Sequence, residues 1–493
     1  MNLSPLLKLF NQIPTYNALA DAIHWGELSD EMRRPLGVMT AARPALLAAL
    51  QADLQRPILF ITARADRARI LTEQIQVWAR DASMVHRLPD PDALPHEKIF
   101  WGIETIQSRL AALSALATYN HQREIAQFPP LIITSARALM HHTLPLNEFA
   151  IMEFKLGQRI RLNEVVAQWV ELGYQPEDVV EVAGSFSRRG GILDIFPPSS
   201  PCPIRIELFG DEIDSLRSFD PATQRSDKRL NVFIVGPATE TLPRFAPGAA
   251  ERLSHWNLTE LQPSTKITFE EDIARLSNGT AFRGIEYYLP FFYHGRNGQS
   301  GDLSQTSVLD YLPENALIFV EDPQELASVV DELEIQAQTL KRDLVTIGDL
   351  PTEWPDPYFG WSALVSALIV RNPFVLGFTS FSPHRQAIAT VLPNPPSQSP
   401  TTSQSQAEEV NNQSVYNKQG GTLDTPPDHQ SSVSQSPIST PLIPYYFQST
   451  FTAAPAFGGQ VKTVLPDIIE RKKRNERVVL VSRQSARLSH LFN

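Results

Sequence analysis

The sequence predicts an α/β fold built on a mostly parallel sheet, with a smaller α+β module inserted into it. In the first part of the chain, buried strand patterns alternate with amphipathic helix patterns. The strand PILFIT (57–62) precedes the helix RADRARILTEQIQVWA (64–79), and the helix ETIQSRLAALSALA (104–117) precedes the strand LIITS (131–135). Strands that alternate with helices in this way are typical of a parallel sheet.

A different pattern begins near residue 150 and indicates the inserted module. The segment FKLGQRI (154–160) and the helix LNEVVAQWVELG (162–173) are followed by short alternating strands bounded by Gly, Pro and Asp. Such strands predict hairpins. After 223–226 the α/β rhythm resumes, with the strand ALIFVED (316–322) and the helix that follows it. The module therefore interrupts a single α/β domain.

These patterns predict four parts of the chain. We expect the first part of the α/β domain at 1–148, the inserted module at 149–236, the second part of the α/β domain at 237–372, and an incomplete small α/β domain at 373–493. Within the last part, residues 393–444 are dominated by Ser, Gln, Pro, Thr and Asn, which predicts a disordered linker. The strand RVVLVS beyond the linker requires partner strands, so we expect the chain to be truncated within a fold.

Composition limits the possible partners and surroundings. The net charge of −11 argues against a general nucleic-acid coat, which needs clustered Lys and Arg. A single cysteine excludes an intramolecular disulfide and fits a reducing cytoplasm. No apolar run reaches the ~18 residues that span a bilayer. We therefore expect a cytoplasmic protein with no membrane partner.

The loop before the first crossover helix, LGVMTAARPALLAAL (36–50), is the place to look for a nucleotide site. A phosphate-binding loop needs glycines, a lysine for the terminal phosphates and a Ser or Thr for magnesium. If Gly37 is the first glycine, Arg43 stands at the lysine position and Pro44 at the Ser/Thr position. Proline also removes a backbone N–H donor. No Asp-Glu pair follows an apolar strand downstream, so the sequence predicts a degenerate loop that does not bind nucleotide.

No other pattern predicts catalysis or metal binding. His141 and His142 are adjacent, so on a helix they would point about 100° apart, and we expect them at a surface helix end. His86 and His96 have no matching Cys or carboxylate pattern. The sequence therefore predicts no catalytic residue, no metal ligand and no cofactor.

The segment CPIRIELFG (202–210) predicts a strand with an unusual outer face. One face carries Ile204, Ile206 and Leu208, and the other carries Arg205, Glu207 and Phe209. Arg189 comes close to the second face if ILDIF (192–196) pairs with IRIEL (204–208). An exposed aromatic beside arginines is typical of a protein-interface hot spot. A second interpretation stays open, in which the phenylalanine packs against a neighbouring domain and the arginines pair with local acids.

The longer segment around this strand resembles a known module. The string SRRGGILDIFPPSSPCPIRIELFGDEIDSLRSFDPATQRS (187–226) is similar to the interaction module shared by the bacterial transcription-repair coupling factors and the excision-repair subunit UvrB. Three further segments resemble the coupling factors in order and spacing: PILFITARADRARILTEQIQVW (57–78), RGIEYYLPFFYHG (283–295) and DYLPENALIFVEDPQEL (310–326).

Two features favour the coupling factors over UvrB. UvrB is an ATPase with an intact phosphate loop, and the loop here is degenerate. UvrB also carries a tyrosine-rich hairpin that clamps DNA, for which LPDPDALPHEKIFWGIETIQSRL (88–110) has no room.

The resemblance implies a helicase-like (RecA-type) parallel-sheet domain carrying a module that recruits UvrA to stalled RNA polymerase in nucleotide-excision repair. The UvrA-contacting residues of the family match Arg189, Arg205 and Phe209 by position in the motif. ATP, magnesium, RNA polymerase and DNA are expected only through family regions that this chain lacks, so the chain alone is expected to be non-catalytic. The alternatives are a UvrB-like ATP-dependent DNA helicase and a stand-alone protein-binding module.

Overall fold

The computed structural model describes residues 2–26, 36–121, 128–293, 306–376 and 461–476. The predicted linker 393–444 and the predicted strand 477–482 lie outside the described residues. The described α-helices are α1 (Pro14–Trp25), α2 (Arg43–Leu54), α3 (Ala65–Trp78), α4 (Ile103–His121), α5 (Ala136–Met140), α6 (Leu162–Glu171), α7 (Ala246–Ser254), α8 (Pro263–Ser277), α9 (Pro323–Thr346), α10 (Trp361–Val370) and α11 (Val461–Lys473). Several begin with a proline in the first turn, where its missing N–H costs nothing.

The strands form two main sheets and one short pair. They are β1 (Ile58–Thr62), β2 (Val85–Leu88), β3 (Leu131–Ser135), β4 (Met152–Lys155), β5 (Gln175–Pro176), β6 (Ser185–Arg189), β7 (Ile192–Ile195), β8 (Ile204–Phe209), β9 (Glu212–Phe219), β10 (Ser226–Arg229), β11 (Val232–Val235), β12 (Leu317–Glu321) and β13 (Phe374–Leu376). Short 3-10 helices lie at Ser4–Gln12, Ala82–Met84, Leu146–Glu148, Pro243–Phe245, Ile285–Phe291 and Val308–Tyr311.

A five-stranded parallel sheet with the order β13-β12-β1-β3-β2 forms the larger unit. Central strand β1 pairs in parallel with β12 on one side and with β3 on the other, so that Ile58 lies beside both Leu317 and Leu131. The predicted α/β class with a parallel sheet is confirmed. Residues 374–376 belong to this sheet because β13 pairs in parallel with β12. The sequence assigned them to the incomplete last domain, and their pairing places them with the α/β domain.

Both faces of this sheet are buried, because strand side chains alternate between two hydrophobic cores. Leu59 and Ile61 of β1 pack into a core that includes residues of α4, α7, α8 and α9. Ile58 and Phe60 pack into the other core, with residues of α1, α2 and α3. Helices therefore cover the sheet on both sides and leave its strand ends as the places where polar side chains gather.

The second unit is a six-stranded sheet with the order β10-β9-β8-β7-β6-β5. Its strands are antiparallel except for the short β5, which runs parallel to β6. Helix α6 covers one face, where Val165 and Trp169 pack against Phe186, Leu193 and Ile206. Strands β4 and β11 pair with each other where the chain enters and leaves this unit. The other face of the sheet carries the predicted binding residues.

Candidate partner-binding face and the carboxyl edge of the parallel sheet

Two tight hairpins bring Arg189 and Phe209 to the same end of the six-stranded sheet. Arg189 pairs with Ile192 across the turn between β6 and β7, and Phe209 pairs with Glu212 across the turn between β8 and β9. Each turn contains two residues and begins with a glycine at positive φ, 61° at Gly190 and 67° at Gly210. Glycine adopts this backbone conformation without the steric cost of a Cβ.

The strand register aligns charged residues in one row across the sheet. Asp194 of β7 lies between Ser187 of β6 and Arg205 of β8, and Arg205 lies beside Arg217 of β9. The pairing of ILDIF with IRIEL, which was the condition for Arg189 to approach this face, is observed in the structure. The predicted alternation is confirmed too, since Ile204 and Ile206 are buried on the opposite face.

Asp194 binds both predicted arginines. Its side chain is only 1% exposed. Its Oδ1 accepts a 2.7 Å hydrogen bond from Arg205 Nε, and its Oδ2 accepts hydrogen bonds from Arg205 Nη2 at 2.9 Å and Arg189 Nη2 at 3.0 Å. These bonds raise the pKa of Arg205 above its usual value. The Arg205 guanidinium also lies 4.7 Å from the centre of the Phe219 ring. Arg205 is therefore held by a carboxylate and by an aromatic ring.

Phe209 stands away from this network and is 84% exposed. The side chain of Arg189 is 53% exposed, and Ile192 is 36% exposed near the same hairpin end. A phenylalanine so exposed at the end of a rigid hairpin is typical of an interaction site. In the second interpretation from the sequence, the pairing of arginines with a local acid is observed, whereas Phe209 is exposed and not packed within the described residues.

We call the outer surface formed by these side chains the binding face; it comprises Arg189, Ile192, Asp194, Arg205, Glu207, Phe209 and Arg217. Glu207 and Arg217 form a partly exposed ion pair at 3.3 Å. Three arginines against two carboxylates give this face a net charge of +1 on a chain whose net charge is −11. The sequence indicated Arg189, Arg205 and Phe209 but missed Asp194 and Phe219. Asp194 follows two apolar residues in β7, and a lone acid in such a strand is a signal of a buried ion pair.

The loop at 36–42 lies at the carboxyl edge of the parallel sheet, where Leu36 bridges Leu376 of β13. Helix α2 follows it and is buried along its length from Arg43 to Ala52. Pro44 lies in the first turn of α2. A Cβ at Gly37 would meet no atom within 4 Å, so the packing there does not require glycine.

Arg43 is directed into the protein and is 1% exposed. Its Nε donates a 3.2 Å hydrogen bond to the carbonyl of Val38 in the same loop. Its Nη1 donates to Glu321 Oε1 at the end of β12 and lies 3.7 Å from Asp322 Oδ2. Arg43, which the sequence predicts at the lysine position of a phosphate loop, is therefore in ion-pair contact with strand β12.

Glu321 connects four elements at this edge. Arg67 of α3 donates to both carboxylate oxygens, at 2.8 and 3.1 Å, and Thr62 of β1 donates to Oε2 at 2.9 Å. Burial alone would raise the pKa of Glu321, but the hydrogen bonds and charges of Arg67 and Arg43 bring it below its usual value. No Asp followed by Glu was predicted after an apolar strand downstream of the loop. The two acids occur in the reverse order as Glu321-Asp322, where Glu321 is the last residue of the buried strand β12 and Asp322 follows it. An acidic pair at the end of an apolar strand is the feature of the sequence that could have identified this site.

His141 and His142 do not lie at the surface helix end that the sequence predicts. Helix α5 ends at Met140, and His141 follows it in an extended conformation. His142 is buried, and burial lowers its pKa to about 4. The predicted surface helix end is therefore wrong, because the chain continues inward and His141 bridges Tyr358.

Among the residues that the structure describes, no three His, Cys, Asp or Glu side chains are placed to hold a metal ion. No helix within the described ranges is both long enough and apolar enough to cross a bilayer.

Comparison with known proteins assigns a domain family to the region that contains these residues. Residues 152–240 match the UvrB interaction domain, a segment that overlaps the predicted module. The chain is also similar to proteins named transcription-repair-coupling factor. It is 31% identical to that of Mycobacterium bovis over 66% of this chain and 25% of the relative's length. The relative from Bacillus subtilis is 26% identical over 67% of this chain and 27% of its own length. The relative from Escherichia coli K12 is 31% identical over 53% of this chain and 22% of its own length.

The resemblance to the coupling factors and to the UvrB interaction domain is therefore confirmed. The chain spans about a quarter of the length of the curated relatives it matches.

Proposed function

We propose that this chain, which carries a UvrB interaction domain within a region similar to transcription-repair coupling factors, binds UvrA through the binding face and so recruits it during transcription-coupled nucleotide-excision repair. The observation that carries the proposal is Phe209, 84% exposed at the tip of a hairpin, at the same end of the sheet as the half-exposed Arg189.

The physics of interfaces supports this site. A rigid aromatic side chain that leaves water on binding contributes a large apolar area at a small entropic cost. Arginines that flank it contribute directional hydrogen bonds to a partner carboxylate. Phe209 and Arg189 lie next to two-residue turns of hairpins whose strands pair in one sheet. The distance between the two residues is therefore fixed before a partner binds.

We further propose that the parallel-sheet domain is helicase-like (RecA-type) and that its loop at Gly37, Arg43 and Pro44 does not bind ATP. Two features of the loop support the absence of ATP binding. The Arg43 guanidinium is already paired with Glu321, and Pro44 has no N–H to offer a phosphate. ATP hydrolysis and any contact with RNA polymerase or DNA are then functions of the parts of the relatives that this chain does not match.

The runner-up is a UvrB-like ATP-dependent helicase. It is favoured by the loop's position at the carboxyl edge of a parallel sheet, where ligands of α/β proteins bind. Isothermal titration with Mg-ATP distinguishes the two. A dissociation constant in the micromolar range would support the UvrB-like helicase. For this chain we expect no heat of binding at millimolar ATP.

The recruitment proposal is tested by calorimetric titration of the full chain with UvrA from the same organism. Wild type is expected to bind, and Phe209→Ala to weaken binding by about thirtyfold or more, which corresponds to ~2 kcal/mol. Val370→Ala is the matched control, because Val370 is similarly exposed but lies on α10. Its affinity should equal that of wild type. A folded wild-type chain that does not bind UvrA overturns the proposal.

A further inference from the structure

We infer that Asp194 is a positioning residue of the binding face, which orients Arg205 and Arg189 for a partner without being accessible to the partner itself. The inference rests on the proposed function and adds a residue to it. Asp194 is buried, so it cannot present its carboxylate outward, yet all of its hydrogen bonds to side chains go to these two arginines.

The geometry of the pair with Arg205 is the two-pronged arrangement that fixes a guanidinium in one plane. Nε and Nη2 of Arg205 each donate to a different oxygen of Asp194, at 2.7 and 2.9 Å. The Phe219 ring lies 4.7 Å from the same guanidinium. Arg205 is therefore fixed by two kinds of contact, and its Nη1 is the donor group that Asp194 does not use.

Arg189 is held by a single bond. Its Nη2 donates to Asp194 Oδ2 at 3.0 Å, and the rest of its guanidinium is available to a partner because half of the side chain is exposed. Both arginines thus keep N–H donors for a partner while the flexible side chains are already oriented. Orienting a side chain before binding reduces the entropy lost on association.

The same arrangement indicates the chemistry of the partner surface. One buried carboxylate shared by two guanidinium groups leaves a positive charge uncompensated. A carboxylate of UvrA that approaches Arg189 would complete the set of charges, next to an apolar pocket for Phe209. An acidic patch adjoining an apolar pocket is therefore the surface of UvrA that we expect to be complementary.

The decisive variant is Asp194→Asn, which keeps the shape of the side chain but replaces one acceptor oxygen with an N–H donor that faces the arginines. We expect it to weaken UvrA binding roughly tenfold. Glu207→Gln is the matched control, since it removes one negative charge from the same face but breaks only the partly exposed pair with Arg217. Its affinity is expected to stay within about twofold of wild type. Equal losses in both variants would mean that net charge matters and position does not.

A double-mutant cycle separates positioning from a merely structural role. In an Arg189→Ala, Arg205→Ala background, Asp194→Asn is expected to change affinity by less than about twofold, because the groups through which it acts are gone. A further loss as large as in wild type would show that Asp194 acts through the fold, and would overturn the inference. Arg205→Lys keeps the charge but cannot form the two-pronged pair, and it is expected to weaken binding like Asp194→Asn. If Asp194→Asn does not fold, wild-type affinity in Arg205→Lys overturns the inference.

The two proposals fail in different ways. Absence of binding by the wild-type chain refutes UvrA recruitment as a whole. Binding by wild type that is lost in Phe209→Ala but retained in Asp194→Asn refutes only the positioning role of Asp194.

Discussion

Two carboxylates in this molecule are each shared by two arginines, and the two groups differ in what surrounds them. Glu321, at the carboxyl edge of the parallel sheet, binds Arg43 and Arg67. Asp194, in the six-stranded sheet, binds Arg205 and Arg189. Both carboxylates are buried. The chemistry of the contacts is therefore the same in the two regions.

The arginines differ in their exposure and in the elements that supply them. Around Glu321 the donors come from α2, α3 and β1, which are all distant from β12 in the chain, and the side chains of Arg43 and Arg67 are 1% and 25% exposed. Around Asp194 the donors come from the two adjacent strands, and the side chains of Arg205 and Arg189 are 17% and 53% exposed. An arginine surrounded by protein can only stabilise the fold. An arginine at the surface keeps donors for a partner.

The largest expected effect comes from removing the Glu321 charge. Glu321→Gln removes the charge of the buried carboxylate that binds Arg43 and Arg67. Breaking a buried ion pair in this way costs about 3–5 kcal/mol. Urea denaturation measures the free energy of unfolding. Glu325→Gln is the matched control, since its pair with Arg64 at 3.3 Å is more than half exposed at both ends and should be worth less than about 1 kcal/mol. Equal losses in the two variants would contradict a structural role for the Glu321 network.

Acid should reduce the difference between wild type and Glu321→Gln. The folded-state pKa of Glu321 is lowered, so its contribution to stability is present above the pKa of the unfolded chain and is lost as the pH falls through the folded-state value. The free energies of unfolding of the two proteins are therefore expected to differ most near neutral pH and to converge below about pH 4. A difference that stays constant from pH 7 to pH 3 would show that the Glu321 charge is not what stabilises this edge.

The comparison also shows how far the sequence predicts the structure. The alternation in IRIELF placed Ile204 and Ile206 inward and Arg205 and Phe209 outward, because the side-chain period of a strand is fixed at two. Hairpins were predicted from short strands bounded by Gly, Pro and Asp, whereas the pairing of β7 with β8 stayed a condition until the structure showed it. Asp194 was missed, because only the register of β7 against β8 tells which residue stands beside Arg205.

The Glu321 network was still harder to predict. Arg43 and Glu321 are 278 positions apart in the chain. They meet because β12 lies next to β1 in the sheet order, and a hydrophobic pattern identifies strands without giving their order. A degenerate phosphate loop is predicted from residue types alone, whereas the ion pair in which Arg43 takes part depends on topology.

The smallest expected effect on stability comes from truncating Phe209, the residue whose truncation has the largest expected effect on binding. Phe209→Ala should change the free energy of unfolding by less than about 0.5 kcal/mol, since a side chain that stays in water loses little on truncation. Phe219→Ala is the matched control in the same sheet. Phe219 is 1% exposed beneath Arg205, and a buried Phe→Ala change costs about 3–5 kcal/mol. A large loss of stability in Phe209→Ala would mean that Phe209 packs within the chain. The binding face would then lack its principal apolar contact for a partner.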